Sequence, residues 1–280
     1  MPKYDTIAIY GVGLIGGSIG LALRNGKLAS RVIGIGRRES TLQQAADCGA
    51  IDEFTLDLAA GVAEAEIIVV CSPVQLIAEH VLAVSQNCRA DALITDAGST
   101  KQRIVAQLAS GTPVPQFIGS HPLAGSDKSG AENARADLFS GCTTIVTPTE
   151  KSNEQQLAAL TQFWEAIGCT VKQMSPAEHD KALALTSHLP HVIASLLAAS
   201  TPEELLPLTA TGWADTTRIA KGDVQLWQQI LDSNREPMLQ ALDNFAAMFG
   251  EFRQALASGD DAQFISILDQ GKNHRDTVGS

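Results

Sequence analysis

The sequence predicts an α/β protein in which the first 174 residues form a mostly parallel sheet and residues 175–280 form an all-α domain. Two observations support this prediction. Short runs rich in β-branched residues alternate with helical segments up to about residue 174, as expected for crossover connections between parallel strands. Beyond Met174-Ser175-Pro176 only helical periodicity remains.

Each predicted strand is a short apolar run bounded by turn residues, and the run at 67–70 is apolar throughout, which indicates burial on both faces. The predicted strands cover residues 6–10, 31–35, 66–71, 92–96, 116–119, 143–146 and 170–173. Helices are predicted in the first domain at 14–25, 42–48, 76–84, 101–108 and 153–167. In the second domain they are predicted at 177–185, 191–199, 220–231, 237–258 and 262–271.

Composition restricts the possible partners and the compartment. The chain has 280 residues, of which 45% are hydrophobic, and a formal net charge of −11. It has no block of Lys and Arg, so nucleic acid and anionic membrane surfaces are poor partners. We find neither a signal peptide nor an apolar stretch approaching the roughly 20 residues that span a bilayer. The five cysteines are scattered without metal-ligand spacing, so a cytoplasmic protein without a metal site is predicted.

A glycine-rich turn joins the first strand to the first helix. Gly11, Gly13 and Gly16 form the pattern G-x-G-x-x-G in the strand–turn–helix context of a Rossmann-type dinucleotide-binding domain. Gly11 permits the tight turn, Gly13 lets the backbone approach a pyrophosphate, and Gly16 lets helix and sheet pack closely. The phosphates then face the helix N-terminus, which begins at Leu14 and Ile15.

The tip of the second strand distinguishes NADP from NAD. The stretch Gly34-Ile35-Gly36-Arg37-Arg38 has no carboxylate to bind a ribose 2′-hydroxyl, whereas Arg37 and Arg38 suit a 2′-phosphate. We therefore predict NADP, with NAD possible, since the arginines could instead form a solvated turn and Glu39 could reach a ribose. Ser72-Pro73 also ends a strand, at the edge where open α/β sheets bind ligands.

A histidine opens the loop His121-Pro122-Leu123-Ala124-Gly125-Ser126-Asp127-Lys128-Ser129-Gly130. Pro122 predicts that His121 is extended, and a neutral imidazole is a plausible general base near pH 7. Ser99 follows another strand and is predicted to cap the next helix, which does not exclude a second role.

The polar groups of the helical domain lie in two short motifs. The first, Ser187-His188-Leu189-Pro190-His191, holds a serine and two histidines, and the second runs from Asp215 to Arg218. Arg218 either pairs with Asp215 three residues earlier on the same helix or clamps a substrate carboxylate.

Taken together, these motifs resemble those of the prephenate/arogenate dehydrogenase family of tyrosine biosynthesis. The similarity runs from about residue 5 to about residue 260. It is carried, in the family's order, by GVGLIGGS, TDAGSTK, SHPLAGSDKSG, TSHLPH and DTTRIAKGDVQLW.

The resemblance implies an NAD(P)-dependent oxidative decarboxylation that yields 4-hydroxyphenylpyruvate from prephenate or tyrosine from arogenate. Hydride leaves the carbinol carbon for the nicotinamide, and carbon dioxide departs as the ring aromatises. By similarity His121 is the base, Ser99 orients His121 and the substrate hydroxyl, and Arg218 holds a substrate carboxylate. Ser187, His188 and His191 line the substrate pocket.

The resemblance also bears on specificity and assembly. Asp127 stands where many prephenate-type members have Glu, which puts the role of that carboxylate in doubt. Asp215 could accept the ammonium group of arogenate, so arogenate or dual use is predicted. Family members are dimers joined through the helical domain, so a homodimer is expected here.

Two other functions stay open at the level of sequence. A β-hydroxyacid dehydrogenase shares the glycine fingerprint and a helical second domain, but uses a catalytic lysine for which Lys181 is the nearby candidate. A nucleotide-sensing protein without catalysis would not need His121, Ser99 and Arg218.

Overall fold

A computed structural model of the protein describes residues 3–111, 114–126 and 128–278. Its strands are β1 Tyr4–Tyr10, β2 Ala29–Ile35, β3 Glu53–Thr55, β4 Ile67–Val70, β5 Leu93–Asp96, β6 Gly119–Pro122, β7 Thr143–Thr147 and β8 Thr170–Gln173. The helices up to β8 are α1 Leu14–Asn25, α2 Glu39–Asp47, α3 Leu58–Val62, α4 Ile77–Ser85, α5 Gln102–Ala109 and α6 Glu154–Ala166. Those that follow are α7 Pro176–Leu183, α8 Leu189–Ser200, α9 Thr211–Thr217, α10 Val224–Ser233, α11 Arg235–Ser258 and α12 Asp261–Val278.

The strands form two sheets. The first is parallel throughout and has the order β3-β2-β1-β4-β5, with the glycine-rich turn at the carboxyl end of its central strand. The second has the order β6-β7-β8, in which β6 runs antiparallel to β7. Among the described residues, one isolated bridge between Ile94 and Phe117 connects them, so β6 begins beside the end of β5.

The first sheet is buried on both faces. Side chains alternate along a strand, so Ile7 and Ile9 of β1 join one hydrophobic cluster while Ala8 joins the other. The first cluster also contains Phe163 and Trp164 of α6, whose side chains are fully buried. The predicted parallel α/β domain followed by a helical domain is confirmed.

Several predicted elements differ from the structure in extent. The strand predicted at 116–119 forms three residues later, because β6 finds its partner in β7 and Phe117 makes only the isolated bridge. The helix predicted at 220–231 breaks at Gly222. It restarts at Val224, because the Asp223 side chain accepts the Leu226 N–H 2.7 Å away. The short elements β3, α3 and α9 were not predicted.

Helices α7 and α8 are joined by a π-helical turn, Ala184–His188, into one helix spanning Pro176–Ser200. Pro190 lacks the N–H that would normally bond the carbonyl of residue 186, which favours the wider turn here. By length and composition alone this helix could cross a membrane, so the expectation of no such stretch is wrong. Its buried polar residues, including His179, Asp180 and His191, pack against the rest of the protein.

Candidate active site

The glycine-rich turn has the geometry that the sequence pattern predicts. Gly11 has φ +97°, and a Cβ there would lie 2.9 Å from the Cys71 carbonyl oxygen. At Gly16 a Cβ would lie 2.3 Å from the Gly11 oxygen, so helix α1 and the turn could not approach as they do. A Cβ on Gly13, by contrast, meets no atom of the described residues within 4 Å. Open space above Gly13 is where a pyrophosphate would approach.

The start of α1 suits a bound phosphate. Among the described residues no side chain caps this helix, whose first turn, including the half-buried Leu14 and Ile15, contains no acidic residue. The unpaired N–H groups and the positive end of the helix dipole are therefore available to an anion. The residues present thus fit a dinucleotide.

The other predicted cofactor residues surround this turn. A Cβ on Gly11 would lie 3.2 Å from the Ser72 nitrogen, and exposed Pro73 follows at the end of β4. Arg37 and Arg38 are exposed just beyond β2. Next to them, the Tyr10 ring lies 4.4 Å from that of His80, whose Nδ1 is 2.8 Å from the Ser72 hydroxyl. Burial lowers the pKa of His80, while the nearby charges of Glu79 and Arg37 act on it in opposite directions.

His121 lies on strand β6, paired with Ile145 of β7, and is extended as predicted. Its Nδ1 is 2.9 Å from Nε2 of His179, which belongs to helix α7. The two rings meet edge to face with centroids 5.1 Å apart. Because Nδ1 is engaged, Nε2 is the ring nitrogen left for a substrate. Burial holds the pKa of His121 well below its usual range, and charges on His179, Lys101 and His188 lower it further.

A buried ion pair fixes the strand ends around His121. The Lys101 ammonium group bonds Asp96 and donates to the Ser120 carbonyl oxygen 2.8 Å away. Asp96 in turn accepts the backbone N–H groups of Gly98 and Ser120 at 2.9 and 3.1 Å. Breaking such a pair on one side leaves an uncompensated buried charge. The network therefore holds the segment that carries Ser99 beside the strand that carries His121.

Ser99 does not cap the next helix, so that prediction is wrong. The N-cap position of α5 is Lys101, and its N–H donates to Oδ1 of Asp180 at 2.8 Å. The Gln102 N–H donates to Oδ2 of the same carboxylate at 2.9 Å. Asp180 comes from α7, so the helical domain itself supplies the cap. Ser99 is half-buried, and no hydrogen bond joins it to His121 among the residues that the structure describes.

The π-helical turn carries Ser187 and His188, and His191 follows on α8. His188 is buried with its Nδ1 3.0 Å from the Asn234 side-chain nitrogen, and burial lowers its pKa to about 4. His191 stacks on Trp227 with ring centroids 3.5 Å apart and an angle of 11°. Ser187 is half-buried beside them.

Asp215 and Arg218 are both exposed, on α9 and on the single turn Arg218–Lys221 that follows it. That turn packs against α8, and a Cβ on Gly222 would lie 3.0 Å from Cε1 of His191. No ion pair joins Asp215 to Arg218 within the described parts of the chain. The alternative of an intrahelical pair is therefore not realised there. Asp127 lies outside the described residues.

Sequence reasoning missed four residues near His121. These are His179, Asp180, Asp96 and Lys101, all buried. His179 and Asp180 are 58 and 59 positions from His121, so no local spacing links them. One signal was present: the motif TDAGSTK puts a lysine five residues after an aspartate at the end of an apolar strand. Such a lysine must be paired if it is buried.

A parallel sheet with a dinucleotide-binding turn, a histidine on strand β6 of the adjoining sheet and a helical domain packed against both define an NAD(P)-dependent dehydrogenase. Comparisons with known proteins identify which kind of dehydrogenase it is. Residues 19–173 match the family model described as prephenate dehydrogenase, nucleotide-binding domain, and residues 175–270 match the model for its dimerization domain. The chain belongs to the prephenate dehydrogenase family.

Individual relatives agree with this assignment. The chain is 34% identical to cyclohexadienyl dehydrogenase of Zymomonas mobilis, over 98% of this chain and 96% of that protein. It superposes on prephenate dehydrogenase of A. aeolicus, solved with hydroxyphenyl propionate and NAD+, with a TM-score of 0.90, 30% identity and 98% of each chain covered. For arogenate dehydrogenase of Synechocystis the TM-score is 0.83 with 29% identity, covering 98% and 99% of the two chains.

The resemblance stated from the motifs is therefore confirmed. So is the reaction class that it implies, NAD(P)-linked oxidative decarboxylation in tyrosine biosynthesis. A β-hydroxyacid dehydrogenase is not favoured, and Lys181 is exposed on α7.

Proposed function

We propose that the protein oxidises and decarboxylates prephenate and/or arogenate, with His121 as the base that accepts the proton of the ring hydroxyl. The observation that carries this proposal is the orientation of His121, with Nδ1 bound to His179 and Nε2 left for substrate. NAD(P), when bound along the glycine-rich turn, supplies the hydride acceptor. Ser99 orients the hydroxyl beside His121. The test is an initial-rate assay with both substrates, described at the end of the Discussion.

The residues of the helical domain hold the substrate in this proposal. Arg218 binds a substrate carboxylate through charge-assisted hydrogen bonds, and Ser187, His188 and His191 line the pocket. Asp215 is exposed one turn before Arg218 and can accept the ammonium group of arogenate. We therefore favour arogenate, or both substrates, and assign no role to Asp127. The domain boundary at residue 174 stays a prediction, supported by the end of β8 at Gln173 and the start of α7 at Pro176.

Arg37 and Arg38 make NADP the preferred cofactor in this account. Replacing both by alanine should raise the KM for NADP about 10- to 150-fold, because hydrogen bonds to a charged group contribute about 1.5–3 kcal/mol. The KM for NAD should hardly change. Arg89→Ala is the matched control, since Arg89 is exposed and bonded to Asp91 at the opposite end of the sheet. If the ratio of kcat/KM with NADP to kcat/KM with NAD is unchanged in the double variant, the two arginines do not determine the cofactor preference.

Gly13→Ala should weaken cofactor binding without unfolding the protein. The added methyl group meets no described atom, yet it occupies the space above the turn. Overpacking against the pyrophosphate costs about 1–3 kcal/mol, which is roughly 5- to 150-fold in Kd for NADP. The comparison is Gly16→Ala, whose methyl group meets the Gly11 oxygen and should lower the Tm. Fluorescence titration and thermal melts measure both effects, and unchanged NADP affinity in Gly13→Ala would contradict this placement.

We also infer a homodimer through the helical domain, in the cytoplasm. The chain exposes 15201 Å², about a third more than the roughly 11,500 Å² expected for a compact monomer of this mass. Much of the exposed apolar surface is on the helical domain, for example at Leu196, Leu208, Leu239, Phe249, Leu256 and Ile265. Sedimentation equilibrium should give twice the mass of the chain, and a monomer mass would exclude the dimer.

A further inference from the structure

A line of hydrogen bonds runs from His121 into the helical domain. His121 Nδ1 is 2.9 Å from His179 Nε2, and His179 Nδ1 is 2.7 Å from Oδ1 of Asp180. His179 is completely buried and Asp180 is 1% exposed. The line therefore joins a strand of one domain to a helix of the other without solvent between them.

Asp180 cannot turn away from His179. Its two carboxylate oxygens accept the Lys101 and Gln102 N–H groups at 2.8 and 2.9 Å. Its backbone carbonyl oxygen accepts a hydrogen bond from the Asn234 side chain at 2.8 Å. Three hydrogen bonds from two different elements fix both the carboxylate and the helix turn that carries it.

This fixed acceptor determines where the protons lie on both rings. A carboxylate only accepts, so Nδ1 of His179 must carry the hydrogen. Nε2 of His179 is then a bare acceptor and takes the hydrogen bond from Nδ1 of His121. The second nitrogen of His121, Nε2, is therefore the one with a free lone pair.

We propose that His179 and Asp180 are positioning residues that hold His121 in the tautomer able to accept a proton at Nε2 and share the charge that results. The proposal rests on the proposed role of His121 as the base. As the O–H bond of the substrate breaks, its electron pair becomes the second bond of the carbonyl group and the proton bonds Nε2. The C–H bond of the same carbon breaks in this step, and its electron pair leaves as hydride for the nicotinamide that the reaction uses. The Nδ1 proton of His121 then shifts toward His179, whose positive charge lies against the Asp180 carboxylate.

The surroundings explain why such support is needed. Burial is the main influence that disfavours a cation on His121, and charges on His179, Lys101 and His188 act in the same direction. An imidazolium without a neighbouring anion would be costly in this position. Burial also lowers the pKa of His179, but its hydrogen bond to Asp180 opposes that effect. A carboxylate that orients a histidine base through a hydrogen bond is the arrangement of the serine-protease triad, here with one more ring inserted.

Nitrogen-15 NMR of the histidine rings tests the tautomers directly on the wild-type protein and needs no activity. We expect His121 and His179 to be protonated at Nδ1 and bare at Nε2 near pH 7. The signals are assigned by their loss in His121→Asn and His179→Gln. A hydrogen on Nε2 of His121 in the resting protein would overturn the proposal.

The kinetics of two variants test whether His179 contributes to kcat by positioning His121. His179→Leu removes the acceptor and should lower kcat about 100-fold or more, within the range of general-base effects, while the substrate KM changes little. His179→Gln offers its amide oxygen to Nδ1 of His121, so it should recover at least tenfold of that loss. His274→Leu, an exposed histidine on α12, is the control that should leave kcat unchanged.

The outcomes separate this proposal from the proposed function. Wild-type protein without activity would refute the function and leave the NMR result to decide the tautomers. An active wild type with full kcat in His179→Leu would refute the positioning role alone. Equal kcat in the leucine and glutamine variants would also count against it, because only the glutamine can hold the tautomer. Thermal melts identify a variant that fails to fold, in which case the glutamine variant and the NMR result decide.

Discussion

Replacing His121 by asparagine is expected to lower kcat about 10²- to 10⁴-fold, the usual contribution of a general base. Asparagine keeps a hydrogen-bonding group toward His179 but cannot accept the substrate proton. Cofactor affinity and Tm should stay close to those of the wild type, because the Asp96–Lys101 pair and the turn at Gly11 are untouched. Steady-state rates, an NADP titration and a thermal melt measure the three quantities.

The activity of the wild-type protein should also depend on pH, and the direction of that dependence follows from the pKa of His121. His121 must be neutral to act as a base, and burial followed by nearby charges holds its pKa well below the usual value. The kcat/KM of the wild type should therefore stay level from pH 7 down to about 6.5, where an ordinary histidine would be half protonated, and fall only at lower pH. His274→Asn is the control. Turnover that is unchanged in His121→Asn would show that His121 is not the base.

Arg218→Ala is expected to raise the substrate KM and lower kcat/KM about 10- to 150-fold, which corresponds to the 1.5–3 kcal/mol of a charge-assisted hydrogen bond. NADP affinity should not change, because Arg218 lies on the helical domain. Arg218→Lys should recover only part of the loss, since an ammonium group cannot bind a carboxylate in the bidentate manner of a guanidinium group.

Lys221→Ala is the matched control for this variant. Lys221 is an exposed cation on the same helical turn and should tolerate the change. Loss of NADP binding in Arg218→Ala, or an equal rise in KM in Lys221→Ala, would contradict a specific carboxylate contact.

The nucleotide-binding half could be predicted from sequence because its signals are local. The turn at Gly11, Gly13 and Gly16 depends on neighbouring residues, and strands such as β4 are continuous apolar runs. Elements that depend on distant partners were shifted or missed. Strand β6 is positioned by β7, and β3 has only three residues, too few for an alternating pattern. Helix α9 contains Gly212 and three threonines, which have low helix propensity, so packing must stabilise it.

The same distinction applies to the site. His121 stands out in the sequence because a proline and a glycine-rich loop follow it. No local sequence pattern distinguishes His179 and Asp180. Their hydrogen bonds to His121 and to the start of α5 form only when the two domains pack together. Ser99 was given the capping role because it precedes the helix, whereas the structure places a carboxylate from the other domain there.

The most direct test of the account is the initial rate of nicotinamide reduction by the purified protein with prephenate or arogenate and with NADP or NAD. We expect turnover with at least one substrate, release of one carbon dioxide for each reduced nicotinamide, and the highest efficiency with arogenate and NADP. Activity with prephenate and NAD alone would keep the reaction and reverse both specificity proposals. The absence of activity in all four combinations would contradict the central claim.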